Sequence, residues 1–360
     1  MKIGILSMQK IHNYGSFLQA LSLKLQMEER GHDVYFVDIQ HGRQVVEAPV
    51  VEQGGLLRKL DRHALKRIQH YLQFRKMAKL HITDQDTYLQ IGKKLSNDEK
   101  FDLVIIGSDE VFHATAVSPW GFTEQLFGKV ENANRVATYA ASCGQTTYEA
   151  AEKYGILEDI KASMKNLCGV SVRDQNTAEF VERITGKAPL RHLDPVFISD
   201  YDRFIPGAPK QKPYLLVYAY ANRIHDEQEI AAIRKYAKQH GLQTLSVGMY
   251  QRWCDRNVTA SGFELLSYVK HAHAIVTDTF HGTVFSIKFN KQFVTLIRDS
   301  NSNKLCGLLN QFGLVDRAIE KTEMLSKIIE QPVDFMKVNQ YIQEERMRTA
   351  AYLDSITEKD

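Results

Sequence analysis

Ala274–Ile297 reads AIVTDTFHGTVFSIKFNKQFVTLI. The short apolar run Ala274–Thr277 predicts a buried strand, and Asp278-Thr279-Phe280-His281-Gly282 interrupts it. Thr283–Asn290 then fits a helix, and Gln292–Ile297 resumes as a β-branched strand. The unit is therefore strand–loop–helix–strand, with its polar chemistry gathered where the helix begins. In an open α/β sheet, ligands bind beyond the carboxyl ends of the strands. A helix start there offers N–H groups and the positive end of a dipole to an anion. His281 falls where it can act on the molecule that carries such an anion.

The same alternation runs outward in both directions. Downstream of a proline-marked boundary (Pro206, Pro209, Pro213), strands are expected at Tyr214–Tyr218, Thr244–Val247, Ala274–Thr277 and Phe293–Ile297. Helices are expected at Asp226–His240, Phe263–His271, Thr283–Asn290 and Ser302–Phe312. Upstream, Lys2–Ser7, Val34–Val37, Phe101–Gly107, Arg135–Ala141 and Cys168–Val172 read as strands. Helices fit Ser16–Arg30, Leu157–Lys165 and Thr177–Ile184, the first capped by Ser16 and buried along Leu18, Leu21 and Leu25. The expected fold is α/β: two doubly wound, Rossmann-like domains facing across a cleft, which is a GT-B-like arrangement. Residues 1–205 form the first domain, with a basic helical insertion at about 50–98. Residues 212–330 form the second, and 333–360 a C-terminal helix. Gly4 and Gly15 do not make a G-x-G-x-x-G pattern, so no dinucleotide is signalled.

A chain of 360 residues is longer than one core usually supports. A net charge of +3 argues against general nucleic-acid binding. Cys143, Cys168, Cys254 and Cys306 are far apart, which favours reduced thiols in a cytoplasmic protein over a disulfide framework or a zinc site. The apolar run at the N-terminus is too short for a signal peptide, and none approaches the ~20 residues of a membrane span. His271 and His273, with Asp278 and His281, invite a metal reading. The first two belong to the strand's entry end, a strand length from the others, so neither metal nor cofactor is expected.

Leu56–His81 is set apart by its charge: eight basic residues, among them Arg75, Lys76 and Lys79, stand against the single acid Asp61. The plain reading is a surface helix pair packed on the first domain. The sharper one is contact with anionic lipid at the inner face of the membrane.

Asp278-Thr279-Phe280-His281-Gly282-Thr283-Val284-Phe285-Ser286-Ile287 resembles the signature of the polysaccharide pyruvyl transferase family. Four further stretches agree in order and spacing: Asn13-Tyr14-Gly15-Ser16 with Leu18-Gln19, Gly107-Ser108-Asp109, Val170-Ser171-Val172-Arg173-Asp174, and Leu193-Asp194-Pro195-Val196. The resemblance spans roughly residues 1 to 315 and implies a GT-B-like fold. It also implies transfer of the enolpyruvyl unit of phosphoenolpyruvate onto a sugar as a ketal, the sugar belonging to a glycan or lipid-linked precursor.

By the same resemblance His281 is the general acid, protonating the donor's methylene carbon. Asp278 orients the imidazole, accepts from a sugar hydroxyl, or caps the helix. Thr279, Gly282 and Thr283 are candidates for the phosphate or carboxylate; Gly282 would let a ligand approach the backbone. Arg173, Arg223, Arg298 and Lys304 are the candidate cations. The bland alternative for Arg173 is a salt bridge between domains, to Asp174 or Asp194. Asn13, Tyr14, Gly15, Ser16, Gln19, Ser108 and Asp109 are assigned to the acceptor, since amides and hydroxyls read sugar hydroxyls. Many family members carry an arginine two residues before the histidine, where this chain has Thr279, so it resembles an Asp-Ser/Thr-Phe-His-Gly branch. Either another cation takes that contact, Arg173 first, or the donor differs. The rivals are a nucleotide-sugar glycosyltransferase on the same fold and a glycan-binding scaffold.

Overall fold

Lys2–Leu6, four of its five residues buried, is the first strand, β1. The computed structural model describes residues 1–46, 64–96, 99–221, 223–298 and 301–358. Its contacts separate two units. Met1–Glu52, Asp84–Ser199 and Ile342–Asp360 form the first, Gln53–Thr83 and Asp200–Tyr341 the second.

In the first unit β1 leads to α1 (Tyr14–Glu29) and β2 (Asp33–Phe36). After α2 (Ala64–Asp84), most of which groups with the other unit, come β3 (Leu103–Asp109) and β4 (Val136–Ala141). α3 (Tyr148–Lys153), α4 (Leu157–Met164), β5 (Leu167–Gly169), β6 (Ser171–Val172), α5 (Gln175–Thr185) and β7 (Leu190–Arg191) complete the alternation. The strands pair in the order β2-β1-β3-β4-β6-β7, with β5 also on β4, and every pairing is parallel. That order reverses direction between β1 and β3, a switch point where α/β sheets bind ligands.

Two local expectations change. α1 starts two residues early because Asn13, in extended conformation, is its cap; its side-chain oxygen accepts from the N–H of Gly15 at 2.8 Å and of Ser16 at 3.4 Å. Ser16 is thereby released from capping, and its hydroxyl donates to Asp109 at 2.5 Å. The single strand expected at Cys168–Val172 is split, because β4 carries a left-handed residue, Ala140 (φ +49°), whose N–H goes sideways to the Ser171 hydroxyl at 3.0 Å.

The second unit runs β8 (Tyr214–Tyr218), α6 (Glu227–Gln239), β9 (Gln243–Val247), β10 (Arg256–Val258), α7 (Gly262–Lys270), β11 (Ala274–Thr277), α8 (Phe280–Lys288) and β12 (Gln292–Leu296). α9 (Ser302–Gln311), β13 (Ala318–Ile319), α10 (Leu325–Glu330) and α11 (Phe335–Thr357) follow. The all-parallel order is β10-β9-β8-β11-β12-β13, with its switch point between β8 and β11. β10 and β13 were not expected, since two- and three-residue edge strands are too short to show a period.

The basic segment and the C-terminal helix group differently from the sequence-based division. Residues 56–63 lie outside the described residues, and Ala64–Asp84 is one helix rather than part of a pair. Gln73 reaches the Gly248 carbonyl of the second unit at 3.4 Å. From Ile342 onward α11 belongs to the first unit, where the Tyr352 hydroxyl donates to the Thr138 carbonyl of β4 at 2.7 Å. Among the described residues no helix is long and apolar enough to cross a membrane.

Asn13→Ala should lower stability by about 1 kcal/mol, the usual worth of an N-cap. Urea denaturation would read this as a lower midpoint at unchanged slope; an unchanged midpoint would mean that Asn13 contributes nothing as a cap.

Candidate active site

At the switch point of the second unit β8 and β11 end level, Tyr218 opposite Thr277. Past them lie the turn through Tyr220 and Arg223 and the pair Asp278-Thr279. α8 begins at Phe280, three residues before the expected start, because Thr279 is its N-cap and accepts from the Gly282 N–H at 2.9 Å. Asp278 is therefore not the cap. A Cβ on Gly282 would overlap the Thr277 hydroxyl and stand 2.7 Å from that of Thr279. The glycine thus makes room for the chain's own hydroxyls rather than for an approaching ligand. The Thr277 hydroxyl donates to the Tyr218 carbonyl at 2.6 Å. That of Thr283 bonds the Thr279 carbonyl at 3.1 Å and the Thr295 hydroxyl at 3.0 Å. Thr279 and Thr283 therefore use their hydroxyls to lock the strand–helix junction.

His281 is the second residue of α8, almost buried, its ring edge-on to Phe280 at 5.4 Å and 6.1 Å from that of Phe285. Asp278 is fully buried, and neither of its carboxyl oxygens has a hydrogen-bond partner. Burial pushes its carboxyl up to about 6, against the opposing pull of Arg223 and Arg298. An acid perturbed by burial and opposed by arginines at a strand end makes this junction a candidate site.

The two arginines are not equivalent. Arg298 grips both carboxylate oxygens of Glu229, one of them at 2.8 Å. Arg223 has no ion pair among the described residues; its guanidinium lies 4.9 Å from the Tyr220 ring. Asn301 ties the two strand-end loops together, donating to the Asp278 carbonyl at 2.8 Å and accepting from the Arg298 N–H at 2.8 Å. Lys304 is half-buried in the first turn of α9. Sequence reading missed Glu229 and Asn301. Nothing local marks a helix-face glutamate or a loop asparagine whose partners lie many residues away.

In the first unit the switch point between β1 and β3 collects another group. Asp109 ends β3 with φ +73°, a strained conformation for a residue other than glycine, and takes the Ser16 hydroxyl. Gln19 is fully buried and donates to the Ser7 hydroxyl at 2.9 Å and the Ser16 carbonyl at 3.0 Å; Tyr14 and Gly15 are also buried. Ser108 donates to Asp194 at 3.5 Å, and Arg173 donates to the same carboxylate at 2.9 Å. Arg173 and Asp194 are both buried, and the pair lies within this unit rather than between domains. Burial works against the charge on Arg173, but Asp194, Asp109, Asp174 and Glu110 outweigh it and hold the guanidinium protonated. The first expected donor cation thus sits among acids.

Solved structures place the fold. Over 99% of both chains, this one is similar to a glycosyltransferase of Streptomyces sp. SF2575 solved with thymidine diphosphate, at 11% identity and TM-score 0.50. A UDP-GlcNAc 2-epimerase from Neisseria meningitidis, bound to UDP-GlcNAc, matches over 99% of this chain and 100% of its own, at 11% identity and TM-score 0.50. The chain spans 66% of the length of a Thermobaculum terrenum O-GlcNAc transferase mutant, with 99% of itself aligned, at 12% identity and TM-score 0.44. Likeness at such identities is one of fold, and the class is two Rossmann-like units of the GT-B kind. No match was found among curated proteins. The family described as polysaccharide pyruvyl transferase matches residues 13–300. The chain belongs to that family.

Asp278 has a consequence for stability. Its folded carboxyl titrates near 6, above the ordinary ~4 of an unfolded aspartate. Between those values the folded state binds the extra proton, so stability falls as pH rises from about 4 to about 6. Above that window the cost is fully present, on the order of 3 kcal/mol. Asp278→Asn should therefore melt higher than the parent at pH 8 and level with it at pH 4. A difference that does not vary with pH would refute the buried, charged carboxyl.

Proposed function

We propose that this chain transfers the enolpyruvyl unit of phosphoenolpyruvate to two hydroxyls of a sugar in a glycan or lipid-linked precursor, closing a ketal. The observation that carries the reading is the buried Asp278 beside His281, faced by Arg223 and Arg298 at the β8/β11 switch point, in a chain of this family. Phosphoenolpyruvate is a compact trianion, and Arg223, which has no ion pair among the described residues, is the cation that suits it. Arg223 takes the contact that Thr279 cannot make, with Arg298 held in place by Glu229 and Asn301. His281 is the general acid that protonates the donor's methylene carbon. Asp278, titrating near 6 and three residues before His281, can take up and return a proton close to neutral pH. The acceptor falls to Ser16, Gln19, Ser108 and Asp109, with Arg173 holding Asp194 and the surrounding acids in place. That setting suits a neutral polyol better than an anion.

A second reading, a glycosyltransferase using a nucleotide sugar, is favoured by the nucleotides in two similarly folded proteins and by Thr279. A thermal-shift comparison of phosphoenolpyruvate with UDP-, GDP- and CMP-sugars separates the two. Donor at 100 times its Kd should add about 2.7 kcal/mol. Stabilisation by a nucleotide sugar alone would replace the present reading.

His281→Gln should keep donor binding and lose turnover by roughly 10² to 10⁴. Arg223→Ala should weaken donor binding itself at least tenfold, about 1.4 kcal/mol. Near-normal turnover in the first variant would remove His281 as the acid, and unchanged affinity in the second would remove Arg223 from the donor site.

A peripheral position at the inner face of the membrane, in the cytoplasm, belongs to the same proposal. α2 buries Met77 and His81 and exposes Tyr71, Leu72, Phe74 and Ile82 among Arg75, Lys76 and Lys79, with no acid from 71 to 83. Aromatic and basic side chains on one face suit an anionic lipid surface. The protein should sediment with phosphatidylserine vesicles at low salt and leave them as salt rises. Equal sedimentation with phosphatidylcholine vesicles would return α2 to an ordinary surface helix.

A further inference from the structure

Just past the switch point of the first unit, outside every motif that carries the family likeness, two side chains meet. The Glu110 carboxylate lies 3.0 Å from Nδ1 of His113. The turn that joins them is closed by the His113 N–H on the Glu110 carbonyl at 3.0 Å, and by the Phe112 N–H on the Ser142 carbonyl at 3.0 Å. Val111 and Phe112 are buried, Phe112 stacked on Phe127 at 5.0 Å, so the apolar middle of the turn is pinned and the polar ends stand together. The loop after β4 is shaped around them. Gly144 has φ +55°, and a Cβ there would stand 2.7 Å from Nδ1 of His113 and 3.1 Å from the Glu110 carboxylate. Asn176 holds that loop, donating to the Gly144 carbonyl at 3.1 Å.

The side chains of His113 and Glu110 are 17% and 28% exposed, enough for a ligand to reach them and too little for free rotation. A carboxylate on Nδ1 selects the tautomer with its proton there. Nε2 is left as a lone pair, and among the described residues it has no hydrogen-bond partner. A base oriented by a third group is the arrangement that activates hydroxyl nucleophiles. Asp109, which Ser16 bonds, is the residue before Glu110, and its carboxylate also takes the Glu110 N–H at 3.1 Å. The pair therefore adjoins the groups assigned to the sugar.

We propose that His113, oriented by Glu110, is the catalytic base that takes the proton from the attacking acceptor hydroxyl. This rests on the transfer reading above and adds the proton acceptor that it lacks. The hydroxyl O–H bond breaks as its oxygen bonds C2 of the enolpyruvyl unit, and the proton passes to Nε2. C3 takes the proton that the transfer reading supplies. Phosphate then leaves with the electrons of its C–O bond, and the second hydroxyl closes the ketal. Of the two hydroxyl protons lost, one is balanced on C3 and the other on phosphate. Glu110 stabilises the imidazolium formed in between.

The test uses His113→Ala, His113→Gln and Glu110→Gln in the full chain, with p-nitrophenyl β-glycosides of galactose, glucose and N-acetylglucosamine as acceptor probes. Phosphate release and product mass are followed, and thermal melting checks folding and donor binding. Expected is a 10²- to 10⁴-fold loss of kcat in both His113 variants with the donor-induced shift intact. Added imidazole should restore part of the His113→Ala rate, and Glu110→Gln should lose tenfold or more. Folded His113 variants within tenfold of the parent would overturn the base while leaving the transfer reading standing. A parent inactive with phosphoenolpyruvate but active with UDP-, GDP- or CMP-sugars would overturn that reading instead, and the same variants would then decide His113 with the active donor. No transfer from either donor class would overturn both.

Discussion

A carboxyl group taken out of water without a hydrogen bond is costly, and the second unit is built to hold one. Asp278 stays in place because its backbone is fixed from two sides: β11 ends there in register with β8, and Asn301 clamps its carbonyl. The partial compensation comes first from charge, through Arg223 and Arg298, and less from the backbone at Tyr220 and Asp278. That compensation is incomplete, so the carboxyl stays above the ordinary aspartate range. The threonines at the same junction work the other way. Thr277, Thr279, Thr283 and Thr295 saturate one another and the backbone, making the start of α8 rigid. A stiff frame around one unsatisfied acid is what positioning a reactive group requires.

The two switch points carry opposite electrostatics. In the second unit, Arg223 and Arg298 both act on Asp278, Arg298 being paired with Glu229 as well. In the first, several acids surround one arginine, and Arg173 is committed to Asp194. A group already paired in low dielectric gives up its partner only at the cost of leaving that partner unpaired. Arg173 is therefore held through Asp194 beside Ser108, whereas Arg223 has no ion pair among the described residues. The strained Asp109 and the left-handed Ala140 lie on adjacent strands of the same sheet. Such distortions persist where surrounding structure over-determines them.

Sequence alone determined the alternation of strands and helices, the two-fold α/β organisation, and the position of the polar chemistry at the end of β11. These are carried by local signals: apolar runs four to seven residues long, helical spacing, and the motif around His281. The strands at Tyr214–Tyr218 and Ala274–Thr277 have the bounds that their apolar runs suggest, because a central parallel strand is buried on both faces. Tertiary structure decided which polar atom meets which. Asn13 rather than Ser16 caps α1, Thr279 rather than Asp278 caps α8, and Gly282 yields to Thr277. Asn301 and Glu229 act on Asp278 and Arg298 across 23 and 69 positions, and Glu110 faces His113 only because Phe112 is driven into the core. Hydrogen-bond partners are chosen by distance in space, and a linear pattern records only which groups are available to be chosen.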